Sequence, residues 1–248
     1  MDSITFLGTG GARVVMARQV LATGGIWLEL EGTQISLDPG PGALVHATYR
    51  KLDPANLNGI IISHRHLDHC GDGNVMIEAM TAGGLKKKGS VFTPSDALGS
   101  DGVILRYLHH YVDEIVILRE KTKYHLGKIC FETSMRHRHG VETYGFIFEG
   151  KKHVISYIPD TVYFDEVAKF YRGNILIICV LLMERSKVQH LSLPDVKEIV
   201  TQIKPEVVLL THFGMNLMRA NPSEIAANLS KETGVRIIAA RDGMKFTL

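Results

Sequence analysis

Cysteine is scarce: Cys70, Cys130 and Cys179 are the three thiols of a 248-residue chain, and no two of them form a CxxC pair. An odd, scattered set excludes a disulfide framework and a thiolate zinc site. Cys130 and Cys179 lie in apolar runs and read as small buried hydrophobes, and Cys70 reads as a packing residue. Long hydrophobic runs are also missing. The longest, Ile175 to Met183, is about half of what spans a membrane. The start, Met1-Asp2-Ser3-Ile4-Thr5-Phe6, lacks the basic and apolar pattern of a secretory signal. These absences point to a cytoplasmic protein with no membrane partner. Neither sign of charge prevails, and a formal net charge of +2 is too small for the polyanion-binding field of a dedicated nucleic-acid protein. A small anionic substrate stays compatible, because a metal centre brings its own positive charge. Gly8-Thr9-Gly10-Gly11 has the look of a phosphate-cradling loop, but no GK[ST] and no evident helix follow it, so it reads as a tight turn. With no Pro/Ser-rich linker, charge block or repeat, residues 1–248 read as one domain, and 45% hydrophobic residues are enough for a sizeable core.

What the chain does have is alternating strands and helices. In the first half, strands are predicted over 3–7, 25–30, 33–37 and 59–62, with Glu31-Gly32 as a hairpin turn, and helices over 43–52 and from about 74 to 81. Later strands are expected over 114–118, 128–133, 144–149, 153–158, 175–182, 206–210 and 235–239. Ser192, with Pro194 and Asp195 in the first turn, starts a helix running to about Lys204. Asn221-Pro222-Ser223-Glu224 starts another, which Gly234 ends. Asp242-Gly243 turns the chain into a last short strand. The segment from Lys86 to Lys123 gives no clear pattern. Hairpins mixed with strand–helix alternation argue against an all-parallel doubly wound sheet and for two β-layers between outer helices.

The twelve histidines hold the chemical information. Ser63-His64-Arg65-His66-Leu67-Asp68-His69 follows the strand 59–62 and ends it in a burst of imidazole and carboxylate. Four ligand-type side chains packed this tightly do not close on one ion without straining the backbone. Two neighbouring metals, completed from elsewhere, are the natural solution. Further ligands follow other strands: His137 or His139, then Asp160, then His212. His137 and His139 compete for one position, and His139 is preferred because it immediately precedes Gly140 and the next strand entry. Asp38, in the rigid turn Asp38-Pro39-Gly40-Pro41-Gly42, is a candidate partner for a metal-bound histidine. Asp160 alone also fits the cap of a helix starting near Thr161. Lys86-Lys87-Lys88 reads as a solvated loop, and His46, His109, His110, His125 and His153 receive no role.

The HxHxDH motif at 64–69, followed in order by His139, Asp160 and His212, resembles the metallo-β-lactamase superfamily. The likeness spans nearly the whole chain, including Phe6-Leu7-Gly8-Thr9-Gly10. It implies an α/β fold, the αββα four-layer sandwich. By that resemblance His64, His66 and His139 would hold one metal, Asp68, His69 and His212 the other, and Asp160 would bridge them. The cofactors would be two divalent ions, Zn2+ before Mn2+ or Fe2+, which supply hydroxide near neutral pH and polarise the substrate oxygen. Asp68 would also accept a proton during turnover. In the tRNase Z and small phosphodiesterase branches a histidine placed like His190 faces the scissile phosphate, where it would stabilise charge or protonate the leaving oxygen. Glu184 is the candidate to orient it.

The expected activity is a metal-dependent phosphodiesterase acting on a small or cyclic phosphodiester, with a homodimer as the expected assembly. An RNA-processing endonuclease like tRNase Z is the alternative, so RNA stays among the candidate partners, and a thioester or lactone hydrolase follows. Only two short strands fit between His139 and Asp160, which leaves no room there for a tRNA-gripping arm. A di-iron redox protein is disfavoured because that branch replaces the second histidine of the motif with Glu, whereas His66 is present.

Overall fold

A computed structural model describes residues 2–248. The first half of the chain runs β1 (Ser3–Phe6), α1 (Ala12–Arg18), β2 (Ile26–Leu30), β3 (Thr33–Leu37), α2 (Ala43–Tyr49), β4 (Gly59–Ile61), α3 (Leu67–Cys70), α4 (Gly73–Met80), β5 (Ser90–Thr93) and β6 (Glu114–Ile117). The second half runs β7 (Lys123–Leu126), β8 (Ile129–Thr133), β9 (Phe146–Glu149), β10 (Val154–Ile158), α5 (Asp165–Phe170), β11 (Ile175–Cys179), α6 (Leu193–Ile203), β12 (Val207–Thr211), α7 (Met215–Arg219), α8 (Pro222–Thr233), β13 (Arg236–Ala239) and β14 (Lys245–Thr247). The strands form two 7-stranded sheets, ordered β14-β1-β2-β3-β4-β5-β6 and β13-β12-β11-β10-β9-β8-β7.

Side-chain alternation builds the layers. On β11, Ile175, Ile177 and Cys179 face the core between the sheets, while Leu176 and Ile178 face the outer helices. A strand covered on both faces is uniformly apolar, as parallel central strands are. Phe6, Leu28 and Leu37 of the first sheet meet Phe131, Phe148 and Leu209 of the second in that central core. Ala43 and Ala47 of α2 and Met76 and Ile77 of α4 cover the outer face of the first sheet. Val167 of α5, Ile199 of α6 and Leu229 of α8 cover the second. The αββα sandwich expected from the motif is the observed fold.

Both sheets are mixed. Strands β3 to β6 are parallel, as are β10 to β13, while β1 with β2, β2 with β3, β7 with β8, β8 with β9 and β9 with β10 pair antiparallel. The carboxyl ends of β3, β4, β8, β10 and β12 therefore lead into the loops of one rim, where open α/β sheets place their sites.

Several local expectations change. A helix does follow the glycine turn: α1 starts at Gly11 without a side-chain cap. No helix starts near Thr161, and α5 begins only at Asp165. The opaque stretch 86–123 holds β5 and leads into β7, both paired through their neighbours rather than marked by strong patterns. Ser192 caps α6 in a full capping box with Asp195, as its sequence predicts. Asn221 sits at the start of α8 in the left-handed region and makes no side-chain cap bond.

Candidate metal centre

Each ligand-type side chain stands just beyond a strand. His64 and His66 stand two residues apart in the bending segment after β4, and His66, itself extended, is the residue before α3, which carries Asp68 and His69. The change from extended chain to helical turn inside the motif splits its four ligands into two directions. His64, His66, His139 and Asp160 form one group and Asp68, His69 and His212 another, with ligand atoms in each lying within 4.8 Å of one another. Asp160 lies between the groups: its Oδ2 is 3.8 Å from His64 Nε2, 3.7 Å from His139 Nε2 and 3.7 Å from His69 Nε2, while its Oδ1 is 3.5 Å from His212 Nε2.

Hydrogen bonding on the far side of each ring decides which nitrogen faces inward. His69 Nδ1 donates to Asp38 Oδ2 at 2.9 Å, and His139 Nδ1 donates to the Gln189 carbonyl at 2.9 Å. Ser63 Oγ donates to Asp38 Oδ2 at 2.6 Å, so it accepts from His64 Nδ1 at 3.0 Å. In the neutral form of each of these three rings Nε2 is left without a proton and directed at the centre. Imidazole nitrogens consequently crowd together: His64 Nε2 and His139 Nε2 each lie 3.1 Å from His66 Nδ1, and His69 Nε2 lies 3.1 Å from His212 Nε2. Imidazole nitrogens gathered this closely around buried carboxylates suit a bound cation. Asp160 Oδ1 is buried with no hydrogen-bond partner, as a ligand oxygen would be. The donor set, nitrogen with carboxylate oxygen, fits divalent metal ions.

For His64, His66, His139, Asp68 and Asp160 the charge states agree with ligation. Burial, helped by the neighbouring His69, holds the His64 imidazole well below its ordinary pKa, and burial lowers His66. Burial takes His139 down to about 4 against the pull of Asp160. These rings are neutral and free to donate a lone pair. Burial alone would depress His69 as well, but Asp68, Asp160 and Asp38 outweigh it and hold its pKa well above the ordinary value. Burial would raise both Asp68 and Asp160; the facing imidazoles instead keep both carboxylates ionised.

Gly11 is required here for clearance: a Cβ on it would lie 2.2 Å from the His212 ring. His212 itself has φ +65, an uncommon conformation for a side-chain-bearing residue. The turn is held from below by Asp242, which accepts from the Thr9 backbone at 2.9 Å and the Ala22 backbone at 2.8 Å. The glycine turn thus packs directly on a candidate ligand.

Of the competing pair, His139 joins the ligand groups, whereas His137 is buried beside Tyr171. His190 stands at the centre, with Nε2 2.9 Å from Asp160 Oδ2. Glu184 does not contact it and lines a different cavity with Lys197 and Glu232. A cavity of about 900 Å³ opens onto His66, Asp68, His139, Asp160 and His190, and Arg13 and Met16 of α1 with Arg65 form part of its wall. Arg13, Met16, Tyr157 and Tyr171 carry no local sequence signal that points to the site. Ser63 was legible only as a neighbour of the motif.

A family model described as a β-lactamase superfamily domain matches residues 33–213. An uncharacterised protein of Methanocaldococcus jannaschii is 29% identical over 253 residues, covering 99% of this chain and 94% of that protein. The metallo-β-lactamase fold protein YhfI from Bacillus subtilis superposes with a TM-score of 0.82 at 17% identity, covering 99% of this chain and 98% of that one. The short form of human tRNase Z superposes with a TM-score of 0.74 at 19% identity, covering 100% of this chain and 99% of that one.

Proposed function

This chain belongs to the β-lactamase superfamily, and we propose that it is a dinuclear metal-dependent hydrolase, with zinc its expected metal, that cleaves a small or cyclic phosphodiester. His64, His66 and His139 would hold one ion, Asp68, His69 and His212 the second, and Asp160 would join them. Bound divalent cations supply hydroxide near neutral pH and Lewis acidity toward phosphoryl oxygens. Asp68 would take up a proton; its Oδ2 already accepts from the Ala12 backbone at 2.8 Å, which ties α1 to the centre.

The observation that carries the reading is His190. Its side chain stays 16% exposed at the edge of the centre while its Nε2 reaches Asp160 Oδ2, 2.9 Å away. A histidine set there is within reach of a substrate oxygen lying over the ligands, so it would steady charge on the phosphate and protonate the leaving oxygen. Arg13 and Arg65 in the cavity wall favour an anionic substrate. A volume of about 900 Å³ lies in the range of small-ligand clefts, about 300–1,000 Å³.

An RNA-processing endonuclease is the second reading, favoured by the fold likeness to tRNase Z. The short β9–β10 connection between His139 and Asp160 offers no arm to grip folded RNA. The test is a panel of phosphodiesters, thioesters and lactones with the metal-loaded protein. Turnover of bis(p-nitrophenyl) phosphate or 2′,3′-cyclic nucleotides supports the proposal. Turnover of thioesters or lactones with every phosphodiester inert sinks it.

A further inference from the structure

The second histidine of the Arg136-His137-Arg138-His139 run has an obvious use; the first does not. His137 is 2% exposed and lies outside both ligand groups. Its Nδ1 is 3.2 Å from the backbone carbonyl of Asp160, and its Nε2 is 2.7 Å from the Tyr171 hydroxyl. A carbonyl can only accept, so Nδ1 carries the proton and donates to Asp160. Nε2 then has only a lone pair, and the Tyr171 hydroxyl donates to it. The direction of both bonds is fixed.

Tyr171, the residue that ends α5, is 3% exposed and has little freedom to move. Gly145 leaves space for its hydroxyl: a Cβ there would come within 1.8 Å of that oxygen. Two further links lie alongside, one to a side chain and one between backbones. The Arg138 amide donates to Thr161 Oγ1 at 3.2 Å, and the Val162 amide donates to the Arg138 carbonyl at 3.1 Å. The loop that ends in His139 and the loop that begins with Asp160 are therefore bolted together one residue or two away from each ligand. A side chain joins them, and that side chain faces no substrate.

We infer that His137 and Tyr171 are positioning residues that set the separation of His139 and Asp160, and thereby the affinity of the first metal position. The inference rests on the metal-site reading above. A metal ion tolerates little error in the placement of its ligands, and the groups that orient them commonly carry about 10–100-fold in affinity.

The test is titration of the stripped protein with Zn2+ against a chromophoric chelator, repeated with Co2+ to read coordination from its visible spectrum. Melting of the metal-free protein serves as the control. Tyr171→Phe keeps the ring and removes the donor; it should weaken the first Zn2+ site about tenfold or more and the second, which shares Asp160, less, while the metal-free melting point holds. His137→Ala should weaken the same site further. His137→Asn, which retains a donor near the Nδ1 position, should recover part of the loss. Wild-type affinity at both sites in Tyr171→Phe and His137→Ala overturns the inference. So does a loss of affinity matched by a fall in metal-free stability, because the pair would then be ordinary core. A wild-type protein that binds neither Zn2+ nor Co2+ removes the metal site itself and this inference with it.

Discussion

The carboxylate of Asp38 and the imidazole of His69 meet at 2.9 Å, both side chains nearly sealed from water. Asp38 also accepts from the Ser63 amide at 2.6 Å, the Ser63 hydroxyl at 2.6 Å and the Tyr157 hydroxyl at 2.7 Å. Ser63 in turn holds His64. One buried carboxylate thus orients a candidate ligand in each metal group. Asp38→Asn puts an amide donor where an acceptor is needed. It should lower affinity at both positions by about 10–100-fold and cost about 1–3 kcal/mol of stability. Metal titration with thermal unfolding of the stripped protein measures the two effects separately.

Asp68→Ala removes a candidate ligand and the acceptor for the Ala12 amide at once. Turnover should fall to background, and one equivalent of metal should be lost on dialysis. Elemental analysis beside the kinetic assay checks both.

His190→Ala should leave both metals bound and slow turnover by about 10²–10⁴-fold, the usual range for a lost acid or base. Metal loss from this variant would mean that His190 is a ligand instead.

Arg13 lines the cavity and makes no ion pair among the described residues. Arg13→Ala should raise KM for an anionic diester several-fold with kcat nearly unchanged, as removal of uniform binding does. Arg65 is engaged with Asp101 at 2.5 Å and with the Asp96 carbonyl at 3.3 Å, so Arg65→Ala should also loosen that loop. Comparing steady-state kinetics of the two variants separates the roles.

The metal-free protein should lose stability on acidification from about pH 7 to pH 4. His137 and His139 are held neutral at about 4 by burial, and burial also lowers His64 and His66. The unfolded chain takes up protons on these histidines near pH 6.5, so it gains as pH falls, by about 1.4 kcal/mol per pH unit for each proton. His69 acts in the opposite sense. Its raised pKa contributes stability below its ordinary value, and this is lost only as pH rises through the raised one. Asp68 and Asp160 add to the acid loss, since carboxylates held ionised contribute above their ordinary range and lose that contribution as they protonate. Four lowered imidazoles outweigh one raised. Melting temperatures at several pH values check the slope, which His137→Asn should make shallower.

Much of this was written locally. Thr33–Leu37 alternates between two environments and forms β3 at those bounds. The Ser192–Asp195 box fixes the start of α6, because its bonds close within one turn. The spacing of His64, His66, Asp68 and His69 exposes the ligand-rich motif, since all four lie on one strand exit. Helix α1 carried no such mark: Gly11 offers no capping side chain and Ala12 sits at φ +61. Tertiary packing alone placed that helix over the cavity. It alone also separated His137 from His139, because two histidines two residues apart carry the same local signal. What divides them is contact with Tyr171 and the Asp160 carbonyl on one side and with His66 on the other. Asp38 finds Tyr157 across 119 residues, and Asp68 finds His212 across 144. Such pairings depend on how two sheets twist and stack, which no window of neighbouring residues encodes.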